Sequence, residues 1–300
     1  MFDYVIYGLK LRTDVEFPQL IKECTDREPD IYIVQGVMPA KYEAEERYMC
    51  NIEQGESYFN NSILKMYIEK GKTLTYQILV EVNESNYKAF LLGYGISILL
   101  LQRGMLAIHC SALLIQGKAY LIAGRSGSGK STVTSHLLRG DVKLLADDIA
   151  AVYKDEKGQV VVEPAFPYQK LCRDAALEMG YELDKLIYID EEKDKFLVPC
   201  HEKFYPNKAP IGGMIIIYQS SKTEDVQCHN IVGLNALYTC ADNMFLEPIL
   251  QNRVLEPFVG QRCLEMASGT SICLVRRPKG KDTVKEVIKE VEDFIKRQTN

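Results

Sequence analysis

Residues 124–131 read Gly124-Arg125-Ser126-Gly127-Ser128-Gly129-Lys130-Ser131 and fit the pattern G-x-x-x-x-G-K-[ST] in full. That pattern suits phosphate chemistry for physical reasons. Glycines let consecutive backbone N–H groups curl around an anion without Cβ clashes. A helix starting near Lys130 adds its positive N-terminal end, with Thr132 in its first turn. Lys130 is expected to reach the β- and γ-phosphates of a nucleotide, and Ser131 to offer its hydroxyl to Mg²⁺. The loop reads phosphates and not the base, so it leaves ATP against GTP open.

A short distance on, "LLADD" ends in Asp147 and Asp148. One acid beside Mg²⁺ holds the metal. A second acid suits another task, accepting a proton from an incoming hydroxyl. Side chains adjacent on a strand point to opposite faces, a rule that relaxes near a strand end. The competing reading makes one of the two a solvated strand-end charge.

Elements must bring these groups together. "AIHCSALLIQGKAYLIAG" predicts two strands with a turn at Gln116 and Gly117, the second running from Lys118 to Ala123 into the loop. "STVTSHLLRG" predicts a short helix ending at Gly140. "KLLADDIAAVY" predicts the next strand, with the acids in its middle. Upstream, "SNYKAFLLGYGISILLLQRG" predicts a helix capped by Ser85 and stopped by Gly104. Residues 1 to about 85 look strand-rich, with "MFDYVIYGLKL" and "DIYIVQG" as strands and "EKGK" as a turn between two more. Downstream, "PAFPYQKLCRDAALEMG" and "YIDEEKDKFLVP" look less regular. "GGMIIIYQ" predicts a buried strand. "DTVKEVIKEVEDFIKRQ" predicts an amphipathic helix with Val284, Val287, Ile288, Val291, Phe294 and Ile295 on one face. The expected fold class is α/β, as a small β-rich N-terminal domain (1–85) and a phosphate-loop domain (86–300).

Composition bounds the partners. The 300 residues carry a net charge of −5, without the basic excess that marks nucleic-acid binding. The longest apolar run, Phe90 to Leu101, is too short to span a bilayer, so no membrane role is expected. Nine cysteines, an odd number with no C-x-x-C pair and no visible secretion leader, predict reduced thiols and a cytoplasmic setting. Cys110 reads as a small buried hydrophobe.

These residues resemble the HPr kinase/phosphorylase family, a fold of the HPr kinase and PEP carboxykinase type, and more closely its kinase-like relatives from peptide-modification clusters. The matching pieces are "IHCSALLIQGKAYLIAGRSGSGKST", "LLADDIAAV", "PAFPYQKLCRDAAL", "KDKFLVP", "APIGGMIIIYQ" and "LVRRP". The N-terminal "YGLKL" region is similar to relatives that modify lasso peptides. The resemblance implies ATP- and Mg²⁺-dependent phosphorylation of a serine in a peptide or small protein. It implies Asp147 as the base toward the acceptor serine, Asp148 and Ser131 as the metal-holding pair, and His109 beside the phosphates. His136, His201 and His229 have no such match. Hexamers occur in that family, which leaves a homo-oligomer open. The "LEIRG" segment tied to phosphorolysis is replaced by "KLCRD". In that block and in "KDKF", Lys170, Arg173 and Lys195 are candidates to clamp phosphate oxygens. Two rival functions stay open: a small-molecule kinase on the same scaffold, and a nucleotide-binding regulator without transfer.

Overall fold

A computed structural model describes residues 1–42, 49–51, 55–189, 194–250 and 257–299. The fold is mixed α/β, with an eight-stranded, a nine-stranded and a three-stranded sheet among the described residues.

The eight-stranded sheet is built from residues 2–78. Its first piece corrects the sequence reading. "YVIYGLKL" is not one strand but a hairpin, Phe2–Ile6 against Leu9–Thr13. Tyr7 and Gly8 both take positive φ, 52° and 70°, which gives the tight primed turn that suits strand twist. Alternation alone cannot reveal such a turn, because Tyr7 looks like one more strand residue. The "EKGK" turn holds as expected. Lys70 and Gly71 have φ of 54° and 59° between Leu64–Glu69 and Thr73–Ile78.

The helix after this sheet begins at Glu84, one residue before the expected cap, so Ser85 lies inside its first turn. It runs as Glu84–Phe90, a wide π-type segment Leu91–Gly95, then Ile96–Gln102. Gly104, at φ 79°, ends it as predicted.

In the nine-stranded sheet the strand Lys118–Ala123 is flanked by Cys110–Ile115, antiparallel, and Ala209–Ser220, parallel. Side chains alternate between two cores. Leu121 and Ala123 face one cluster, while Tyr120 and Ile122 face another with Val133, Leu137, Val287 and Phe294. Burial on both faces explains the unbroken apolar run "MIII" in Ala209–Ser220. The helix Lys130–Leu137 and the C-terminal helix Val284–Thr299 cover the second core. The face predicted for the latter is the buried one.

Three further expectations are corrected. His109 does not sit within a strand. It breaks the chain between Leu106–Ile108 and Cys110–Ile115, and its N–H donates to the Asn243 carbonyl at 2.8 Å. The two acids do not lie mid-strand either. Lys143–Ala146 pairs with Cys110–Ile115, Ala150–Lys154 pairs with Val160–Glu163, and the acids form the turn between them. A chain that changes strand partners must leave the ladder, and it does so where two adjacent carboxylates disfavour pairing. Finally, the stretches read as irregular make a small sheet. Tyr168–Cys172 and Ile187–Ile189 flank Lys195–Pro199. Residues 190–193 of "YIDEEKDKFLVP" lie outside the described residues, as does the side chain of Cys50. The other eight cysteines are free thiols.

Candidate phosphate-transfer site

The loop leaves the sheet at Gly124, where the backbone turns at φ 149°. A Cβ there would stand 2.5 Å from the Ile217 carbonyl oxygen, so only glycine fits. Gly127 and Gly129 follow at φ 79° and 101°. Arg125, Ser126 and Gly127 are exposed, as is Thr132. Ser128 is buried, its N–H donating to the Arg125 carbonyl at 3.0 Å and its hydroxyl without a partner among the described residues.

Two side chains hold the loop from outside. Gln219 donates to the Gly127 carbonyl at 3.0 Å, and Arg277 lies 3.5 Å from the Ser128 carbonyl. Binding a trans peptide by its oxygen turns its N–H the opposite way. Arg277 thus favours a Gly129 N–H aimed inward. This guanidinium is only 9% exposed. Among the described residues its one shorter bond is to the Lys281 carbonyl, 2.9 Å, and its Nε has no partner. Arg277 lies in "LVRRP", and no motif in the sequence assigns it this contact. An arginine at the end of an apolar strand beside the loop strand's neighbour is the signal that could have found it.

The acid turn is assembled from four segments. Asp147 accepts from the Ser111 hydroxyl at 2.5 Å and from the Lys170 backbone N–H at 2.7 Å. Asp148 lies 3.3 Å from the Lys170 ammonium and 3.6 Å from His109 Nε2. Asp148 takes φ 72°, a left-handed geometry that non-glycine residues adopt sparingly and that clusters at functional sites. Below the turn, Tyr7 of the N-terminal hairpin donates its hydroxyl to the Ile149 carbonyl at 3.0 Å. The Tyr7 N–H donates to the Pro164 carbonyl at 2.9 Å. The eight-stranded sheet therefore touches the site, a contact no sequence pattern announces.

The two carboxyls differ in proton affinity. Burial raises Asp147 above the ordinary carboxylate range, against the opposing pull of Lys130 and its two hydrogen bonds. Burial also opposes ionisation of Asp148, but Lys170, His109, Lys195 and Lys130 together outweigh it and hold this carboxyl well below that range. Burial and then the Lys130 ammonium push the His109 imidazole down to about 4, with Asp148 pulling the other way. The side chain is 43% exposed, which softens the effect of burial, while three lysines keep its direction. Burial pushes the Cys110 thiol up to about 12, which suits packing and not nucleophilic attack.

The structure thus gathers Lys130, Asp147, Asp148, His109, Lys170 and Lys195. Arg173 is engaged elsewhere. It pairs with Asp194 at 2.5 and 3.0 Å and covers the Phe196 ring at 5.1 Å. The donors suit Mg²⁺, a hard cation that takes one or two carboxylate or hydroxyl oxygens and fills the rest with water and phosphate. An ionised Asp148 and the Ser131 hydroxyl are of that kind.

No family model matches this chain, and no curated protein matches it. Solved structures do match. Among them is that of the Hpr(Ser) kinase/phosphatase from Coxiella burnetii, 13% identical, covering 65% of this chain and 99% of that one, with a TM-score of 0.35. The relation is a distant structural one. No described helix is long and apolar enough to cross a membrane.

Proposed function

We propose that the chain is an ATP- and Mg²⁺-dependent kinase that transfers the γ-phosphoryl group to a hydroxyl, a serine of a peptide or small protein. The observation that carries this reading is the pair of adjacent carboxyls whose surroundings drive their proton affinities apart. Such a split separates a proton acceptor from a permanently charged neighbour. A protein that only held a nucleotide would need the second and not the first.

In this reading residues 124–132 wrap the phosphates with backbone N–H groups. Asp148 and Ser131 hold Mg²⁺, which when bound neutralises charge on the β- and γ-phosphates. Asp147 takes the proton of the acceptor hydroxyl while its oxygen bonds to the γ-phosphorus. The bond to the β,γ-bridging oxygen breaks, and ADP carries that oxygen away. Asp147 has an acceptor site to spare, since each carboxylate oxygen has two lone pairs and the structure uses one on each. Lys130, Lys170 and Lys195 offset the charge of the moving group, and His109 lies beside Asp148. The fold region 86–300 carries this machinery, and 1–85 buttresses it.

The test is transfer from γ-labelled ATP into extract split into protein, peptide and metabolite fractions, with Asp147→Asn in parallel. Asparagine keeps the shape of Asp147 and can still bond Ser111 and the Lys170 N–H. The expected outcome is label in the peptide or protein fraction that falls at least about 100-fold in the variant, with ATP affinity retained. Label confined to metabolites would point to a small-molecule acceptor. Equal release of free phosphate by both proteins would end the kinase reading.

A further inference from the structure

Two of the free thiols lie side by side at an edge of the nine-stranded sheet. Gln227–Ile231 pairs with Ile272–Pro278 and, among the described residues, with no other strand. The register sets Cys228 opposite Val275 and Asn230 opposite Cys273. Residues two apart on a strand share a face, so Cys228 and Cys273 are diagonal neighbours on one face. That face is the one toward Val287 and Phe294, where Cys273 and Val275 are fully enclosed and Cys228 is half-buried. From the C-terminal helix the Arg297 guanidinium reaches Cys228, its Nη2 3.9 Å from the sulfur.

This setting differs from that of the buried thiols. Burial pushes Cys110, Cys240 and Cys263 up to about 12 and Cys200 up to about 11, which leaves them protonated and unreactive. At Cys228 the hydrogen bond from the Cys273 thiol and the charge of Arg297 pull the other way, below the ordinary thiol range, against burial and the Glu290 carboxylate. Cys273 is raised by the same hydrogen bond and by burial. A thiolate, the nucleophilic form, thus forms at the half-open position, with a protonated thiol behind it. An attacking sulfur and a resolving sulfur need that arrangement.

We propose that Cys228 and Cys273 form an oxidation site whose substrate is a hydroperoxide, hydrogen peroxide being the smallest. The Cys228 thiolate attacks one peroxide oxygen and the O–O bond breaks. The other oxygen leaves as hydroxide and takes up a proton to become water, while Cys228 becomes a sulfenic acid, oxidised by two electrons. The Cys273 sulfur then attacks the Cys228 sulfur. The S–O bond breaks, the hydroxyl leaves with the Cys273 proton as a second water, and a disulfide remains. Diagonal Cα atoms stand roughly 7–8 Å apart, against the roughly 4.4–6.8 Å that a disulfide spans. A strand held on one side only closes that difference by a shift of about 1 Å. Neither the phosphate loop nor the acid turn takes part, so the site stands apart from the proposed transfer.

The test treats the reduced full-length protein, freed of reductant, with one equivalent of hydrogen peroxide at neutral pH and then alkylates the remaining thiols. Peptide mass spectrometry is expected to find Cys228 joined to Cys273, lighter than the two reduced peptides by two hydrogens, in a chain that still runs as a monomer on a non-reducing gel. The exposed Cys24 and Cys172 should be found alkylated. Cys273→Ser removes the resolving sulfur, and dimedone should then trap a sulfenic acid at Cys228. Arg297→Gln changes an exposed side chain and leaves the core intact, so it keeps the test open where a serine in the core unfolds the protein. It should raise the pH midpoint of Cys228 alkylation by about half a unit or more. Oxidation that falls first on Cys24 or Cys172, a Cys228 sulfenic acid that persists in the wild type, or an alkylation midpoint unmoved by Arg297→Gln would overturn the inference.

Discussion

At the scale of single residues, the site turns on where protons rest. Asp147, the proposed base, sits above its ordinary 3.8 because burial disfavours its charge, and it must be ionised to take up a proton. The sign follows. The proposed transfer should be full above the raised pKa and fall as pH drops through it. The Ser111 hydroxyl, donating at 2.5 Å, lowers that pKa. Ser111→Ala should therefore move the acid limb of the pH–rate profile to higher pH, with ATP affinity unchanged. A limb that stays put would mean another group titrates there. Arg277 makes a different prediction. Its guanidinium is buried against two carbonyls, with no carboxylate partner among the described residues. A buried charge without a counter-charge is costly, and an anion on the loop relieves it. Arg277→Met should leave thermal stability of the unliganded protein equal or higher while weakening tripolyphosphate binding about tenfold or more. A lower melting temperature with undiminished binding would make Arg277 a purely structural residue.

At the scale of elements, the site is held by a contact between distant parts of the chain. The Tyr7–Gly8 turn reaches under the acid turn, and the Tyr7 hydroxyl meets the Ile149 carbonyl next to Asp148. Tyr7→Phe keeps the ring and removes one hydrogen bond. It should cost about 1 kcal/mol of stability and leave the Ile149 carbonyl short of a donor. Because Asp148 holds a left-handed φ of 72°, loosening its neighbour should lower the transfer rate more than nucleotide affinity. Single-turnover rates and titrations on the same variant check this, and a change in affinity alone would break the argument. The same contact shows what the sequence can carry. The loop, its strand and its helix are legible because glycine, lysine and alternation are local signals. The amphipathic C-terminal helix is legible for the same reason. The hairpin at Tyr7, the strand exchange at Asp147 and the ladder of Tyr168–Cys172 with Lys195–Pro199 are not, since partner choice is set by tertiary packing. Among the site residues, the pairing of Arg173 with Asp194 and the buttress formed by Arg277 depend on side-chain directions that no spacing records.

At the scale of the whole molecule, the question is whether residues 1–85 form a unit of their own. Leu11, Ile33, Met66 and Leu74 of the eight-stranded sheet belong to one continuous core. That core also holds Leu91, Leu99 and Leu101 of the connecting helix and Ile108, Ala150 and Ala151 beside the acid turn. All of these side chains are fully enclosed. Domains that fold alone keep separate cores joined by few contacts. Here, removal of the first 85 residues would uncover the apolar face of the connecting helix and strip the acid turn of Tyr7. At about 1.5–3 kcal/mol per apolar side chain uncovered, five or more of them are together comparable to the 5–15 kcal/mol by which domains are stable. Urea unfolding of the full chain should therefore give coincident transitions by far-UV circular dichroism and tyrosine fluorescence. A chain starting at residue 86 should bind hydrophobic dye and fail to bind nucleotide. A fragment 86–300 that is folded and binds ATP as the full chain does would show two independent units, with the Tyr7 contact an accessory to the site and not a condition for it.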